Sequence, residues 1–197
     1  MKIERFESEE EWLEARRGRI TGTRLKDLIT KGKPKIGFYE IIAERVAIPA
    51  SEENAMDRGK RLEDEAMERF VKETKKKVQN DLVLWSREDE SNIALSPDGY
   101  IGKTEAVEVK CLSSAKHLEA WLTQEIPAEY EYQAMQYFIV NDSLKKLYFV
   151  FYDPRMPKDF FFLTFERKNI QEQVDQYLQL ERDTLLKISE IEQKLTF

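Results

Sequence analysis

Cysteine and histidine are almost absent from this chain of 197 residues, which has one of each, Cys111 and His117. Zinc sites draw most of their ligands from these two residue types, so the composition disfavours a zinc site. A lone histidine also has no second histidine with which to share proton transfer. We expect Cys111 to be a reduced core residue and His117 to lie on the surface of a helix.

Long apolar runs are also lacking. The sequence has no stretch of transmembrane length and no amino-terminal signal with a charged head and an apolar middle, so we expect a cytoplasmic protein with no membrane partner. It has no internal repeat and no low-complexity linker. With 41% hydrophobic and 11% aromatic residues, the chain can bury one sizeable core, which predicts a single domain over residues 1–197.

Positive charge is not in excess. Thirty-two basic and 38 acidic residues give a net charge of −6, which argues against a protein that coats nucleic acid in general. Two lysine groups remain possible contacts for a phosphate backbone: Lys31, Lys33 and Lys35 in a loop, and Lys72 with Lys75, Lys76 and Lys77. For the second group, the alternative of a solvated loop and a frayed helix end is at least as good an explanation.

The most informative segment is Ser96-Pro97-Asp98-Gly99-Tyr100, followed by an alternating run over residues 106–111. Pro97 and a Gly99 with positive φ would place Asp98 at a bend. In a strand, the period of two sends Glu108 and Lys110 to one face and the valines and Cys111 to the other. Gly102 and Lys103 can close a tight connection, so we predict a hairpin in which Asp98 faces Glu108.

Two converging carboxylates repel each other unless a cation lies between them. Oxygen ligands favour a hard ion, Mg²⁺ or Mn²⁺, which can lower the pKa of a bound water. Lys110 can orient that water or stabilise negative charge that develops on a phosphorane. This constellation of Asp98, Glu108 and Lys110 predicts phosphodiester hydrolysis, and the alternative is a surface hairpin whose charged side chains are only solvated.

A further carboxylate is expected on a helix over residues 54–75. Met56, Gly59, Leu62, Ala66 and Phe70 form an apolar stripe at helical spacing. Glu63 lies beside this stripe and could lean over the edge of the sheet. Glu65 and Glu68 are alternatives that are expected to be solvated.

The remaining pattern predicts an α/β fold, with a central mixed sheet flanked by helices on both sides. Helices are expected near residues 8–17, 22–31, 38–47, 114–122 and 128–140, with a long final helix near 168–194. Strands are expected near residues 79–86, 92–97, 105–111, 146–151 and 160–165.

These motifs resemble the phage lambda-type exonuclease family of YqaJ-like viral recombinases, within the PD-(D/E)xK nuclease superfamily. The resemblance spans roughly residues 12–167. It rests on the following segments: Trp12 to Arg16, Gly18 to Thr23, Gly59 to Glu63, Ser96 to Gly99, Glu108 to Cys111, Tyr130 to Gln133 and Tyr152 to Met156. The fold implied is the restriction-endonuclease-like core.

The resemblance implies a role for each matching residue. Asp98, Glu108, the backbone carbonyl of Val109 and Glu63 would hold two Mg²⁺ or Mn²⁺ ions, and Lys110 would assist the water. Arg16, Thr23 and Ser96 would bind a terminal 5′-phosphate, and Gln133 would lie at the edge of the metal site.

The chain departs from the family pattern at four positions. Thr23 replaces a serine, and its hydroxyl can make the same bond. Gly22 replaces an alanine, and Leu112 stands where a proline is familiar. The second glutamine of the Tyr-x-x-Gln helix is displaced by one position, from Met135 to Gln136. None of these changes removes a proposed metal ligand.

Three functions are consistent with these motifs. The first is a metal-dependent 5′ to 3′ exonuclease that degrades one strand of linear double-stranded DNA to mononucleotides and leaves a 3′ overhang for phage recombination. The resemblance then implies a homotrimeric ring, a single-strand annealing protein as partner and, for a phage protein, the host cytoplasm. The second is another PD-(D/E)xK endonuclease or a RecB-like nuclease, and the third is a non-catalytic DNA-end clamp.

Overall fold

The structure, a computed structural model, describes residues 1–28, 41, 56–112, 114–154 and 156–195. Its strands are β1 (Lys2–Arg5), β2 (Val83–Ser86), β3 (Ala94–Leu95), β4 (Gly99–Ile101), β5 (Glu105–Lys110), β6 (Lys146–Tyr152) and β7 (Phe160–Glu166). Its helices are α1 (Glu9–Arg16), α2 (Gly22–Leu28), α3 (Met56–Thr74), α4 (Ser114–Thr123), α5 (Glu131–Val140) and α6 (Gln171–Leu195). Short 3₁₀ turns over Ala128–Tyr130 and Arg167–Asn169 precede α5 and α6.

The strands form two sheets. A three-stranded antiparallel sheet has the order β1-β2-β3, and a four-stranded sheet has the order β4-β5-β6-β7. In the larger sheet β5 and β6 run parallel, while the two outer pairs are antiparallel. A parallel pair needs a long crossover, and here α4 and α5 lie in the connection between the two central strands. The predicted mixed central sheet is therefore confirmed.

Helix α3 covers one face of this sheet. Ala66, Met67 and Phe70 pack against a patch made by Val107, Val109, Tyr148 and Val150. The period of two in β5 and β6 sends these alternate side chains to the α3 side. The valines of β5 therefore point inward as predicted, and Cys111 packs against the same cluster.

Helix α5 covers the opposite face. Every residue from Gln133 to Val140 is buried, because α5 is enclosed by the sheet and by other helices. The main core lies here and includes Phe149 and Phe151 from the sheet together with Val174, Leu185 and Ile188 from α6. The sheet is thus enclosed by helices on both faces, as the pattern of the sequence predicts.

Most predicted elements are present with shifted ends. Ser8 caps α1 through a bond from the Glu11 N–H to its hydroxyl, at 3.2 Å, as the capping motif predicts. The strand expected from residue 79 begins only at Val83, and strand β1 was not predicted. The expected helix over 38–47 lies outside the described residues except for Ile41, as do Lys31, Lys33 and Lys35.

The predicted surface position of His117 is wrong. Its side chain is 1% exposed, and its Nε2 is 2.7 Å from the carbonyl oxygen of Lys158. The ring also packs edge-on against Phe161, with centroids 5.1 Å apart. The connection between β6 and β7 closes over α4, and this long-range packing leaves no local signal in the sequence around His117.

Within the described part of the chain, we find no helix both long enough and apolar enough to cross a membrane.

Among the second group of lysines, Lys76 forms an ion pair with Glu105 at 2.8 Å. Its charge is thereby partly balanced within the protein, which weakens the case for Lys76 as a contact to a phosphate backbone.

Candidate active site

The two central acids are brought together by the β4–β5 hairpin. Gly99 pairs with Val107, so the register continued by one residue sets Asp98 opposite Glu108. Gly102 closes the turn with a φ of +58°, a conformation that favours glycine. The Val109 N–H donates to Oδ2 of Asp98 at 2.7 Å, while Val109 pairs with Val150 on the other side. The predicted hairpin is present.

Gly99 serves a different purpose from the one expected. Its φ is not positive, and it is the first residue of β4. A Cβ at this position would lie 2.7 Å from Cγ1 of Val78 and 2.9 Å from Cε of Met67. The glycine is required because these side chains approach the backbone closely, which brings the strand beside Asp98 against α3.

Glu108 is buried, with 1% of its surface exposed, and is held from three directions. Its Oε1 accepts from Nε2 of Gln133 and from Nζ of Lys110, the latter at 2.5 Å. Its Oε2 accepts from the hydroxyl of Tyr137. Gln133 and Tyr137 are four residues apart on α5, so they lie on one face of the helix. This network orients the carboxylate.

The electrostatics of the pair follow from burial and like charge. Burial raises the pKa of Asp98 well above its usual range, and the charge of Glu108 raises it further. Burial alone would lower the pKa of Lys110, but Glu108 and Asp98 raise it above its ordinary value. The ammonium also lies 5.2 Å from the centre of the Tyr130 ring. The Lys110 ammonium thus contacts Glu108, and its charge also acts on Asp98.

Glu63 is exposed on α3. Its charge raises the pKa of Asp98 and also that of Cys111. Among the described residues, however, no three Asp, Glu, His or Cys side chains form a group close enough to hold a metal ion. The structure brings Asp98 and Glu108 together, but the exposed Glu63 does not complete a three-acid group with them.

The donor set of the hairpin fits a hard divalent cation. The two acids supply oxygen ligands only, as Mg²⁺ and Mn²⁺ prefer. A cation between them would also remove the repulsion that raises the pKa of Asp98. Cys111 does not compete as a soft ligand, because burial raises the pKa of its thiol to about 12.

Arg16 reaches this site from the amino-terminal part of the chain. It is the last residue of α1, whose Trp12 donates from Nε1 to the carbonyl of Val83 at 3.3 Å. The Arg16 guanidinium lies 4.5 Å from the centre of the Trp12 ring. Burial lowers the pKa of Arg16, while the charges of Asp98 and Glu108 oppose that change. The charge of Arg16 and the charges of the acid pair therefore act on one another.

The start of α2 also approaches the acid pair. A Cβ on Gly22 would lie 3.0 Å from Cγ of Gln133, the residue that binds Glu108. The next residue, Thr23, is exposed, and its hydroxyl lies 3.2 Å from that of Thr21. Arg24 follows, and its charge lowers the pKa of Arg16 further. Helix α2 thus begins against Gln133, with the Thr23 hydroxyl one residue and Arg24 two residues farther along the chain.

Ser96 lies just before the turn that carries Asp98. Its side chain is buried, and its hydroxyl has no hydrogen-bond partner among the described residues. A buried hydroxyl without a partner is uncommon and costs free energy. A bound ligand that accepts or donates a hydrogen bond at this point would remove the cost.

Sequence reasoning missed Tyr137. Its hydroxyl contacts Glu108 and lies 3.4 Å from the backbone nitrogen of Asp98. Burial raises the pKa of Tyr137 well above its usual range, and the Glu108 charge adds to this, so the hydroxyl keeps its proton. The available signal was its spacing of four residues from Gln133, which predicts a shared helix face.

Comparison with known proteins identifies a family and a fold. The family model described as the YqaJ-like viral recombinase domain matches residues 11–143, more than half of the chain. A search of curated protein sequences gives no match.

Solved structures with the same fold include an alkaline exonuclease from Laribacter hongkongensis, with a TM-score of 0.78 and 27% identity over 94% of this chain and 97% of that one. Its complex with dAMP gives a TM-score of 0.79 and 28% identity over the same shares. A phage-related exonuclease from Haemophilus somnus 129PT, at 11% identity and a TM-score of 0.63, covers 90% of this chain and 96% of its own and shows the fold alone. The fold is restriction-endonuclease-like, as expected.

Proposed function

Because the chain belongs to the family of YqaJ-like viral recombinase domains, we propose that it is a metal-dependent 5′ to 3′ exonuclease acting on linear double-stranded DNA. It would degrade one strand to mononucleotides and leave a 3′ overhang. The family and the similar exonuclease structures support nuclease activity. The observation that carries the proposal is the hairpin that sets Asp98 opposite Glu108 with Lys110 on the same strand.

Asp98, Glu108 and the Val109 carbonyl would hold two Mg²⁺ or Mn²⁺ ions, and the exposed side chain of Glu63 would turn toward them when the ions bind. When bound, such ions lower the pKa of a water and neutralise charge on the phosphate. The protein's own contribution is to orient the ligands. Gln133 fixes one oxygen of Glu108, and the Val109 N–H fixes one oxygen of Asp98. Pre-oriented ligands need no reorganisation when substrate enters.

Lys110 would act on the scissile phosphate or its attacking water. Its ammonium contacts Glu108 and is held over the Tyr130 ring, so its position is set by groups on both sides. From there it can donate a hydrogen bond to a phosphate oxygen as charge develops, or orient the water. Both roles require the positive charge at this point of β5.

Arg16, Thr23 and Ser96 would bind the terminal 5′-phosphate. Arg16 lies close enough to Arg24 for the two charges to repel, and an anion near both would relieve that repulsion. The Ser96 hydroxyl is buried without a partner in the described part of the chain, so it can bond to a phosphate oxygen. The similar Laribacter structure contains dAMP, a nucleoside monophosphate like the product proposed here.

The proposal extends to the assembly. A homotrimeric ring around DNA would reconcile the net charge of −6 with a firm hold on the duplex, since a ring needs few strong contacts. A single-strand annealing protein would bind the 3′ overhang, and both would act in the host cytoplasm during phage recombination.

The test uses purified protein with Mg²⁺ on linear duplex labelled at either the 5′ or the 3′ end, beside a covalently closed circle. We expect early release of the 5′ label as mononucleotide, faster digestion of 5′-phosphorylated ends and an intact circle. Addition of EDTA should stop the reaction. Cutting of the circle would instead support an endonuclease, and DNA binding without nucleotide release would support a clamp.

A further inference from the structure

Tyr137 is placed to connect the two acid-bearing segments. Its side chain is 0% exposed, in the middle of α5. The hydroxyl donates to Oε2 of Glu108, accepts from the Asp98 N–H at 3.4 Å and lies 3.3 Å from the Val107 carbonyl oxygen. One oxygen atom therefore contacts both the segment before β4 and strand β5.

The Tyr137 ring itself is held by packing. Trp85 of the smaller sheet meets it edge-on, with centroids 6.4 Å apart and planes at 83°. Both rings are fully buried. A phenol on a packed helix has only two side-chain torsions, so its hydroxyl is a rigid reference point for the groups that it contacts.

The bonds around Glu108 leave room for a ligand. A carboxylate offers about four lone-pair positions. Gln133 and Lys110 both donate to Oε1, and Tyr137 donates to Oε2. On Oε2 the described residues fill one position, so the second can bind a cation while the tyrosine bond persists. The phenol thus restricts carboxylate rotation without occupying every ligand position.

We infer that Tyr137 is a positioning residue that sets the affinity of the Asp98–Glu108 pair for a divalent cation. The inference rests on the proposed metal-dependent function but assigns a role to a residue outside its ligand set. Groups that hydrogen-bond to metal ligands typically change metal affinity by about 10- to 100-fold when they are removed. Loss of this hydroxyl would free Oε2 of Glu108 and the Asp98 N–H together.

The test is Tyr137→Phe, which keeps the ring and removes the hydroxyl. Titration of the full chain with Mn²⁺ in a calorimeter, without DNA, should show at least about 10-fold weaker binding. The Mg²⁺ concentration for half-maximal cleavage should rise by a similar factor, and the rate at saturating Mg²⁺ should recover more fully than the rate at low Mg²⁺.

Tyr132→Phe is the matched control. Tyr132 lies on the same helix, but its ring packs against Tyr177, with centroids 5.5 Å apart. This variant should bind Mn²⁺ like the wild type. Unchanged Mn²⁺ affinity in folded Tyr137→Phe, or an equal loss of rate at every Mg²⁺ concentration, would overturn the inference. A wild type that neither binds Mn²⁺ nor cleaves DNA would instead refute the proposed function.

A second measurement covers the case in which Tyr137→Phe does not fold. Wild-type protein is labelled with ¹³C at the tyrosine Cζ atoms and titrated with Mg²⁺. The Tyr137 resonance should shift along the same binding curve that calorimetry reports, while the Tyr132 resonance stays in place. A Tyr137 resonance that is insensitive to saturating Mg²⁺ would also overturn the inference.

Discussion

The Val109 N–H donates to Oδ2 of Asp98 at 2.7 Å, so the turn that carries one acid is bonded to the strand that carries the other. Asp98 therefore has a structural bond as well as its proposed place in the metal site. The two contributions can be separated by a substitution that keeps an acceptor oxygen but removes the charge.

Asp98→Asn should retain the fold and lose activity. Its amide oxygen can still accept from the Val109 N–H, but a neutral ligand binds a divalent cation poorly. We expect cleavage of linear duplex to fall by about a thousandfold or more, with DNA binding preserved. Asp98→Ala should lose activity equally and also lower the thermal midpoint. An active Asp98→Asn enzyme would contradict the assignment of Asp98 as a ligand.

Lys110→Ala should abolish cleavage and spare DNA binding. The substitution removes the cation that contacts Glu108, and such groups are worth about 10²- to 10⁴-fold in rate. The matched control is Lys103→Ala, because Lys103 is an exposed lysine in the turn of the same hairpin. Digestion by Lys110→Ala at the wild-type rate would show that the catalytic assignment of this residue is wrong.

Arg16→Ala should mainly reduce the preference for a 5′-phosphate and the processivity of digestion. The charges of Asp98 and Glu108 act on Arg16, whereas its neighbour Arg17 pairs with Glu14 at 3.5 Å. Arg17→Ala removes the same charge and serves as the control. Rates on duplexes with 5′-phosphate and 5′-hydroxyl ends should converge in Arg16→Ala and stay apart in Arg17→Ala. If the two rates converged in both variants, the cause would be the loss of positive charge in general and not a specific role of Arg16.

Gly99→Ala should destabilise the fold through packing. The new methyl would meet Val78 and Met67 at distances below 3.0 Å, and overpacking of this kind costs about 1–3 kcal/mol. Gly102→Ala has open space but a φ of +58°, so it should lose about 1 kcal/mol from backbone strain alone. Gly102→Asn should recover part of that loss, while Gly99→Asn should be worse than Gly99→Ala. Urea unfolding measures all four.

Stability should fall as pH rises through the neutral range because of Glu181. This residue of α6 is 1% exposed, and burial raises its pKa to about 8. Nε2 of Gln136 lies 3.5 Å from one of its oxygens, and Arg87 is the charged group that acts on it. The native state therefore holds a proton that the unfolded state has released above its ordinary pKa of 4.5.

The stabilisation from the buried, protonated Glu181 is fully present below pH 4.5. It is lost as the pH rises from 4.5 to about 8, and the free energy of unfolding falls by an amount on the order of 3–5 kcal/mol. Glu181→Gln should remove that slope, so that the variant is more stable than the wild type at pH 8 and similar to it at pH 5. Urea unfolding at several pH values measures the effect. Parallel pH profiles for the two proteins would exclude Glu181 as the source.

The hairpin was predictable from sequence because its causes are local. Strict alternation from Ala106 to Cys111 determines which side chains share a face, and Gly102 allows the turn. Both depend on residues within a few positions of one another. The place of Asp98 opposite Glu108 follows from the same register, so the central acid pair is predictable from the order of the residues alone.

Contacts between distant segments could not be predicted in this way. The burial of His117 and the need for a glycine at position 99 each depend on an element that is remote in sequence. The spacing of Tyr137 from Gln133 predicts a shared helix face, but not the bond from Tyr137 to Glu108. No local pattern encodes which side chain a remote helix will bring.

The sequence by itself therefore determined the alternation, the turn and the pairing of Asp98 with Glu108. Only the tertiary structure decided which groups surround that pair and how deeply it is buried. The physical reason is that periodicity is a property of neighbouring residues, whereas burial and hydrogen-bond partners arise when α1, α5 and the sheet pack together.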